Sequence, residues 1–408
     1  MTIAQTTETN AAAAAGPSPG PSRPARLDEP GPPGRRADPR LKALTPNWFA
    51  AVMGTGILAV VADRLPAQAP GLHNVAIGFW ALACISLLVL ILATVLHWAR
   101  YPEVARTHHH NPVMAHFYGA VPMAFLTVGA ATLLAGSAVI GTRAAVDTDW
   151  VLWAIGTVGG LTTATAVPHL TFTRLPMKPD SAFGGWLMPI VPPMVSASTG
   201  ALLLPHVSAG EGRLDLLLGC YAMFGLSLVA SVVVIVLVWF RLAVYKTGEA
   251  AGVPTLWIVL GPIGQSVTAA NLLGANAHPA LPAGEATVLR TLGIAYGIPM
   301  LGFAALWASI AAAVTVRTAR DHLPFSLTWW SFTFPVGTVA TGFTSVAVAT
   351  GSTATKVGAV VAFAALVLAW SLVATRTVHG VLTGRLFVAQ AAPAPCLEVE
   401  RPAMSLLD

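Results

Sequence analysis

From residue 46 onward the chain is a succession of apolar segments that carry almost no charge, and no soluble fold accommodates such a pattern. Each is close to the ~20 residues that cross a ~30 Å hydrocarbon layer as a helix. They fall at 46–62, 75–99, 112–135, 150–170, 184–204, 216–240, 255–275, 291–316, 327–349 and 357–374. The fold class expected is all-α integral membrane, with ten transmembrane helices. Charged residues make up only 10% of the 408, against roughly 25% in a soluble domain. The net charge of +5 is spread over short loops, with no basic stripe interleaved with aromatics, so nucleic acid is not an expected partner. Cys84 and Cys220 lie in apolar runs and Cys396 near the C-terminus, which gives neither a disulfide framework nor metal-ligand spacing. No metal and no cofactor are expected.

The organisation expected is a disordered cytoplasmic tail over 1–43, a ten-helix domain over 44–384 and a cytoplasmic C-terminal tail over 385–408. The first part is rich in Pro, Ala and Gly and lacks the apolar surface to offset its ordering entropy, and no cleavable signal peptide is read in it. Lys and Arg set the orientation. Seventeen of the 22 fall on the side of the two termini and of the loops after even-numbered segments. Five, Arg64, Arg143, Arg213, Arg290 and Lys356, fall on the other. Both termini are therefore expected in the cytoplasm, in a multi-pass protein of the cell membrane whose surroundings are the lipid bilayer. An odd number of spans would destroy this alternation.

Proline and glycine add a second period. Pro122, then Pro189, Pro192 and Pro193, then Pro262 and Pro335 lie in the third, fifth, seventh and ninth segments; the first has Gly54 and Gly56. Proline removes a backbone donor and frees a carbonyl one turn earlier, and lipid tolerates that only beside protein or a watery cavity. Pro168 and Pro299, in the fourth and eighth segments, break the rule. The odd segments also carry small polar residues, among them Thr55, Thr127, Ser196, Ser198, Thr199, Gln265, Ser266, Thr268, Thr338 and Thr341. The pattern predicts five helical hairpins around a central pore, with kinked odd helices inside and even helices facing lipid. The pore-lining candidates are Gly54, Thr55, Gly56, Pro122, Pro192, Pro193, Ser196, Pro262, Gln265, Ser266 and Pro335. Small residues also serve helix packing, and that reading of the same positions stays open.

No Asp, Glu, Lys or Arg is read in the middle of a segment; Asp63, Asp147, Asp149, Asp180, Asp215 and Asp321 are assigned to ends or loops. Carriers coupled to protons or sodium commonly keep an intramembrane carboxylate, and acidic rings line cation channels. Neither is expected here, nor an ATPase, since no Walker A motif is present. A membrane-embedded enzyme would need HExxH, GxSxG or a paired intramembrane Asp, none of which occurs, so no catalytic residue is assigned. A sensor without transport would need a soluble relay domain, for which no sequence remains. An anion, by contrast, is stabilised without fixed cations by backbone N–H groups, hydroxyls and helix N-termini.

Four stretches carry a resemblance: WFAAVMGTGIL at 48–58, GWLMPIVPPMVSASTGA at 185–201, PTLWIVLGPIGQSVTA at 254–269 and PFSLTWWSFTFPVG at 324–337. Together they resemble the tellurite-resistance/dicarboxylate transporter family, which includes slow-anion channels, malate permeases and sulfite efflux pumps. The first and third stretches are closer to the malate/sulfite branch. The resemblance covers essentially residues 45–381. It implies a homotrimer in which each protomer has its own ten-helix pore, and a phenylalanine on the ninth helix that plugs it. Phe334 matches that position, with Phe332 as the neighbouring alternative. The function implied is transport of a small anion, sulfite or a C4-dicarboxylate such as malate ahead of chloride or nitrate, by a gradient-driven route. A proton-coupled dicarboxylate carrier is the alternative.

Other residues carry less. His108, His109 and His110 form a run on an expected cytoplasmic loop with no Cys or acidic cluster to complete a metal site. Arg174 and Lys178 are candidates for a positive cytoplasmic mouth, which the positive-inside rule explains equally well. Gln265 and Ser266 are placed to hydrogen-bond an anion or a neighbouring helix.

Overall fold

The computed structural model describes residues 39–387, and the tails expected over 1–43 and 385–408 lie outside them except at their inner ends. Those inner ends are a helical turn at Pro39–Lys42 and a 3-10 turn at Arg385–Phe387. The described residues form helices and connecting turns, with no strand among them.

Ten principal helices follow in order: α1 Phe49–Arg64, α2 Leu72–Arg100, α3 Ala120–Ala131, α4 Thr142–Thr173 and α5 Pro192–Leu203. Then come α6 Glu211–Tyr245, α7 Leu260–Ala275, α8 Ala283–Asp321, α9 Phe334–Thr350 and α10 Thr353–Leu382. Each odd helix is entered through a 3-10 turn: Pro46–Trp48, Met114–Gly119, Gly184–Leu187, Ala250–Val259 and Leu327–Phe332. A π-helical turn, Thr132–Gly136, and a short helix, Ser137–Ile140, extend α3.

Nine of these helices, counted with their lead-ins, are long and apolar enough to cross a membrane among the described residues. The fifth segment is not, because Pro189, Pro192 and Pro193 split it into the 3-10 turn and the 12-residue α5. The prolines expected to kink helix interiors mark a junction instead. Pro122, Pro192, Pro193, Pro262 and Pro335 all sit in the first turn of their α-helix, just after the 3-10 lead-in or the bend that follows it. Proline at this place breaks the backbone ladder where the lead-in passes into the α-helix, with φ already set for the first turn.

Burial separates the two sets. In the four long odd helices 67–89% of the most apolar window is buried, against 17–28% in the five even ones. In α5 every residue except Leu202 is buried. The odd helices touch in a closed order, α1 to α3, α3 to α5, α5 to α7, α7 to α9 and α9 back to α1. Each also packs against the even helix that follows it.

Hydrogen bonds from the outer helices satisfy the backbone that the inner helices leave open. Pro193 has no N–H for the Pro189 carbonyl, and Thr163 Oγ1 of α4 shares its proton between Gly160 O at 3.0 Å and Pro189 O at 3.3 Å. Ser227 Oγ of α6 donates to the Ile190 carbonyl at 2.6 Å. Trp307 Nε1 of α8 donates to Leu256 O at 2.8 Å, within the 3-10 turn before α7. Trp370 Nε1 of α10 donates to Thr55 Oγ1 at 3.0 Å, and Trp80 Nε1 of α2 to Thr132 Oγ1 at 2.9 Å.

Three local expectations are corrected. Asp149 belongs to neither a loop nor a helix end. The fourth helix begins at Thr142, and Asp149 is fully buried within it, its carboxylate against Gly129 of α3 and without a hydrogen-bond partner. Arg213 is likewise buried in the first turn of α6. Hydropathy ends a segment where polar residues begin, whereas these outer helices continue through them. The histidine run is helical, on Pro102–His110, with proline at its start and Arg106 donating to Glu103 at 2.8 Å.

That short helix docks through its histidines. The His108 ring stacks on His97 of α2 at 5.6 Å, and His109 stacks on Tyr118 at 4.7 Å. Burial, helped by the neighbouring His97 and His109, pushes the His108 imidazole from its ordinary 6.5 down to about 4. The folded state thus keeps His108 neutral where the unfolded segment takes up a proton, so docking stability is present above pH 6.5 and is lost as pH falls towards 4. Hydrogen exchange corrected for intrinsic rates should show Pro102–His110 losing protection across that window, and His108→Gln should flatten the dependence. Protection that stays constant with pH in the native protein would contradict the neutral ring.

The inner ring closes most tightly between α7 and α9. A Cβ on Gly264 would lie 2.4 Å from the backbone of Thr338 and Val339, so only glycine fits. Thr338 Oγ1 donates to Leu260 O at 3.2 Å, and the Thr268 and Thr341 hydroxyls meet at 2.8 Å. In lipid, helix association rests on such close packing and hydrogen bonds. Gly264→Ala should therefore cost ~1–3 kcal/mol as an overpacked contact, read as a lower melting temperature in detergent. Gly261→Ala, whose Cβ meets nothing within 4 Å, should leave stability unchanged or raised.

Candidate anion pathway

The odd helices enclose a cavity of about 410 Å³. Its wall takes Ile57, Val60 and Arg64 from α1, Thr127 and Ala130 from α3, and Val195, Ser198, Thr199 and Leu202 from α5. Gln265, Thr268, Asn271, Leu272 and Ala275 come from α7, and Phe334, Thr341, Thr344, Ser345, Val348 and Ala349 from α9. Leu134 of the π-helical turn and Arg290 of α8 complete it. Among the described residues no acidic one lines this space, whereas two arginines and nine residues with hydroxyl or amide side chains do.

A second cavity, of about 20 Å³, lies where the α-helices begin. Ala50 and Met53, Phe117 and Met123, Met188 and Val191, Gly261 and Pro262, and Trp330, Ser331 and Pro335 bring all five odd segments to it. Phe334 lines both cavities and is itself buried. The starts of the five odd α-helices meet around this narrow space, their leading N–H groups bonded back into the lead-in turns, as Phe49 N–H is to Pro46 O and Ala120 N–H to Phe117 O.

The hydroxyls of the large cavity are held loosely. Thr127 donates to Met123 O at 2.7 Å, Thr199 to Val195 O at 2.9 Å and Ser345 to Gly342 O at 2.9 Å. Ser198 and Thr341 likewise donate to carbonyls of their own helices at 2.9 Å. An anion must compete with an intrahelical acceptor for each of these protons, so its net stabilisation is small; Thr344 Oγ1 alone among the lining hydroxyls is buried without a partner. Such weak, repeated sites suit passage better than retention.

The residues singled out from sequence divide accordingly. Gln265 lines the large cavity and bonds through Nε2 to Ser198 Oγ. Pro262 and Pro335 line the small one. Gly54, Thr55, Gly56, Pro122, Pro192, Pro193, Ser196 and Ser266 are buried but are not among the residues lining either cavity. Several face neighbouring helices: Thr55 accepts from Trp370, Ser266 accepts from Tyr296 at 2.8 Å, and Pro192 packs on Gly160. Arg174 and Lys178 are exposed on the loop after α4 and line neither cavity. Phe332 packs in an aromatic cluster with Trp257 and Trp329 at 5.6 and 5.7 Å.

Sequence reasoning missed Arg64, Arg290, Asn271, Thr344 and Ser345 as wall residues. Arg64 and Arg290 were visible only as loop charges on one face. Asn271, Thr344 and Ser345 continue the polar stripe of Gln265, Thr268 and Thr341 at helical spacing, a signal within reach.

The family model SLAC1, voltage-dependent anion channel, matches residues 43–378. A sulfite efflux pump, SSU1, of Arthroderma otae is 28% identical over 373 residues, spanning 88% of this chain and 97% of the relative. The SSU1 sulfite efflux pump of Trichophyton rubrum is 28% identical over 307 residues, covering 73% and 80%. An uncharacterized transporter of Methanocaldococcus jannaschii, MJ0576, is 28% identical over 301 residues, covering 73% and 82%. The chain is a multi-pass membrane protein and belongs to the SLAC1 family, described as voltage-dependent anion channels.

Proposed function

We propose that this protein passes small anions, with sulfite as the leading substrate, through a pore within the ring of odd helices that Phe334 closes. The observation that carries the reading is the acid-free cavity that ends at Phe334, with a second cavity on the other side of the same ring. In this reading α5 with its lead-in is the tenth crossing, and the ten helices form five hairpins. The fifth segment crosses as a broken helix because its open carbonyls are met by Thr163 and Ser227 rather than lipid.

Passage is gradient-driven. No carboxylate faces the cavity to serve as a proton relay, and Asp149, the buried one, sits on the far side of α3 from it. Sulfite leads because relatives that match most of the chain are named for its efflux. The excess of Lys and Arg on one side supports a cell-membrane protein with both termini in the cytoplasm. The small cavity then lies towards the cytoplasm and the large one opens outward. Phe334 stands at the start of α9 and borders both spaces, so displacement of its side chain is the opening step in this reading.

Purified protein in liposomes gives the test, as flux of sulfite, chloride, nitrate and malate. Phe334→Ala should raise the flux of the preferred anion by about tenfold or more, the effect of removing a barrier of ~1.4 kcal/mol. Phe332→Ala should not. Equal flux through native protein and Phe334→Ala would overturn the gate.

A further inference from the structure

We propose that Arg64 and Arg290 form an anion-capture site at the end of the large cavity away from Phe334, and that this site favours a doubly charged oxyanion over a halide. The inference rests on the pathway reading above and assigns the selectivity of its mouth. Both residues line the cavity, one from the end of α1 and the other from α8. Both residues are exposed, and neither makes an ion pair among the described residues.

The carboxylate next to Arg64 in sequence is otherwise engaged: Asp63 Oδ1 lies 3.0 Å from His73 Nδ1. The remaining wall is apolar or uncharged. Two positive charges therefore act on a cavity with no counter-charge in its lining, and low-dielectric walls focus their field inward. The sequence reading treated these residues as two of the five cations on the minority side of the membrane. The positive-inside rule gives no reason for a cation on that side, and their convergence on one cavity supplies one.

The consequence depends on valence. A potential that enriches a monovalent anion about tenfold, within the range for clefts lined by one sign of charge, enriches a divalent one by the square of that factor. Planar hydrogen-bond donors also fit an oxyanion, offering paired N–H groups that a spherical halide engages no better than a lysine. Sulfite and a dicarboxylate belong to the favoured class, and chloride does not.

The experiment is conductance across planar bilayers of the Phe334→Ala protein, in potassium chloride and in potassium sulfite, at 10 mM and 1 M salt. Arg64→Gln with Arg290→Gln should lower chloride conductance about tenfold at 10 mM, and sulfite conductance by markedly more. At 1 M the Debye length is only ~3 Å, and the loss should shrink below about twofold for chloride. Arg64→Lys with Arg290→Lys should restore the charge-dependent part while lowering the sulfite-to-chloride ratio. Equal losses at both salt concentrations, or no loss at 10 mM, would overturn the capture site while leaving the pathway standing. If Phe334→Ala with both arginines intact carries no anion current, the pathway reading falls and this proposal with it.

Discussion

Within a bilayer a backbone carbonyl or N–H has no water to turn to, and this one constraint orders the whole molecule. Regular helices satisfy themselves and can face lipid, even with Pro168 and Pro299 inside α4 and α8; the segments entered through 3-10 turns are the ones shielded. Here the five irregular segments are the buried ones, and regular helices surround them. Side chains on the outer helices complete the arrangement, with Thr163, Ser227 and Trp307 reaching inward to carbonyls that the inner backbone leaves open. The five lead-in turns also bring the starts of five α-helices to one narrow space.

The same economy explains how a chain so poor in charge can serve anions. Fixed cations deep in the cavity would hold an anion too firmly for passage. Hydroxyls such as Thr199 and Ser345, already donating to their own helices, offer modest stabilisation that is readily returned. Full positive charge appears only at Arg64 and Arg290, at the end away from Phe334, where attraction speeds entry without creating a deep trap. Phe334 marks the other end of the same wall.

The division into inner and outer helices was legible in the sequence because Pro122, Pro192, Pro262 and Pro335 recur with the period of the hairpins. Their position in the helix was not, since proline reads as a kink anywhere in a segment, whereas the backbone places each in a first turn. The facing of Thr55 and Ser266 was hidden for another reason. A fully buried helix is apolar on every side, so its pattern does not tell the cavity face from the packing face. Asp149 was misplaced because hydropathy treats TRAAVDTDW as the end of a segment, while the helix continues through it and turns the carboxylate towards Gly129. Convergence of Arg64 and Arg290, 226 positions apart, needed the ring to be closed before it could be seen.

The central claim is that one path runs through the inner ring and is interrupted at Phe334. Cysteine accessibility in a background without Cys84, Cys220 and Cys396 tests it most directly, with a negatively charged thiol reagent applied from the side of Arg64. Thr341→Cys and Ser345→Cys should react rapidly and Ser331→Cys should stay protected; adding Phe334→Ala should expose Ser331→Cys to the same reagent. If Ser331→Cys reacts equally with the phenylalanine present, or stays protected after its removal, the two cavities are not one path divided by this ring.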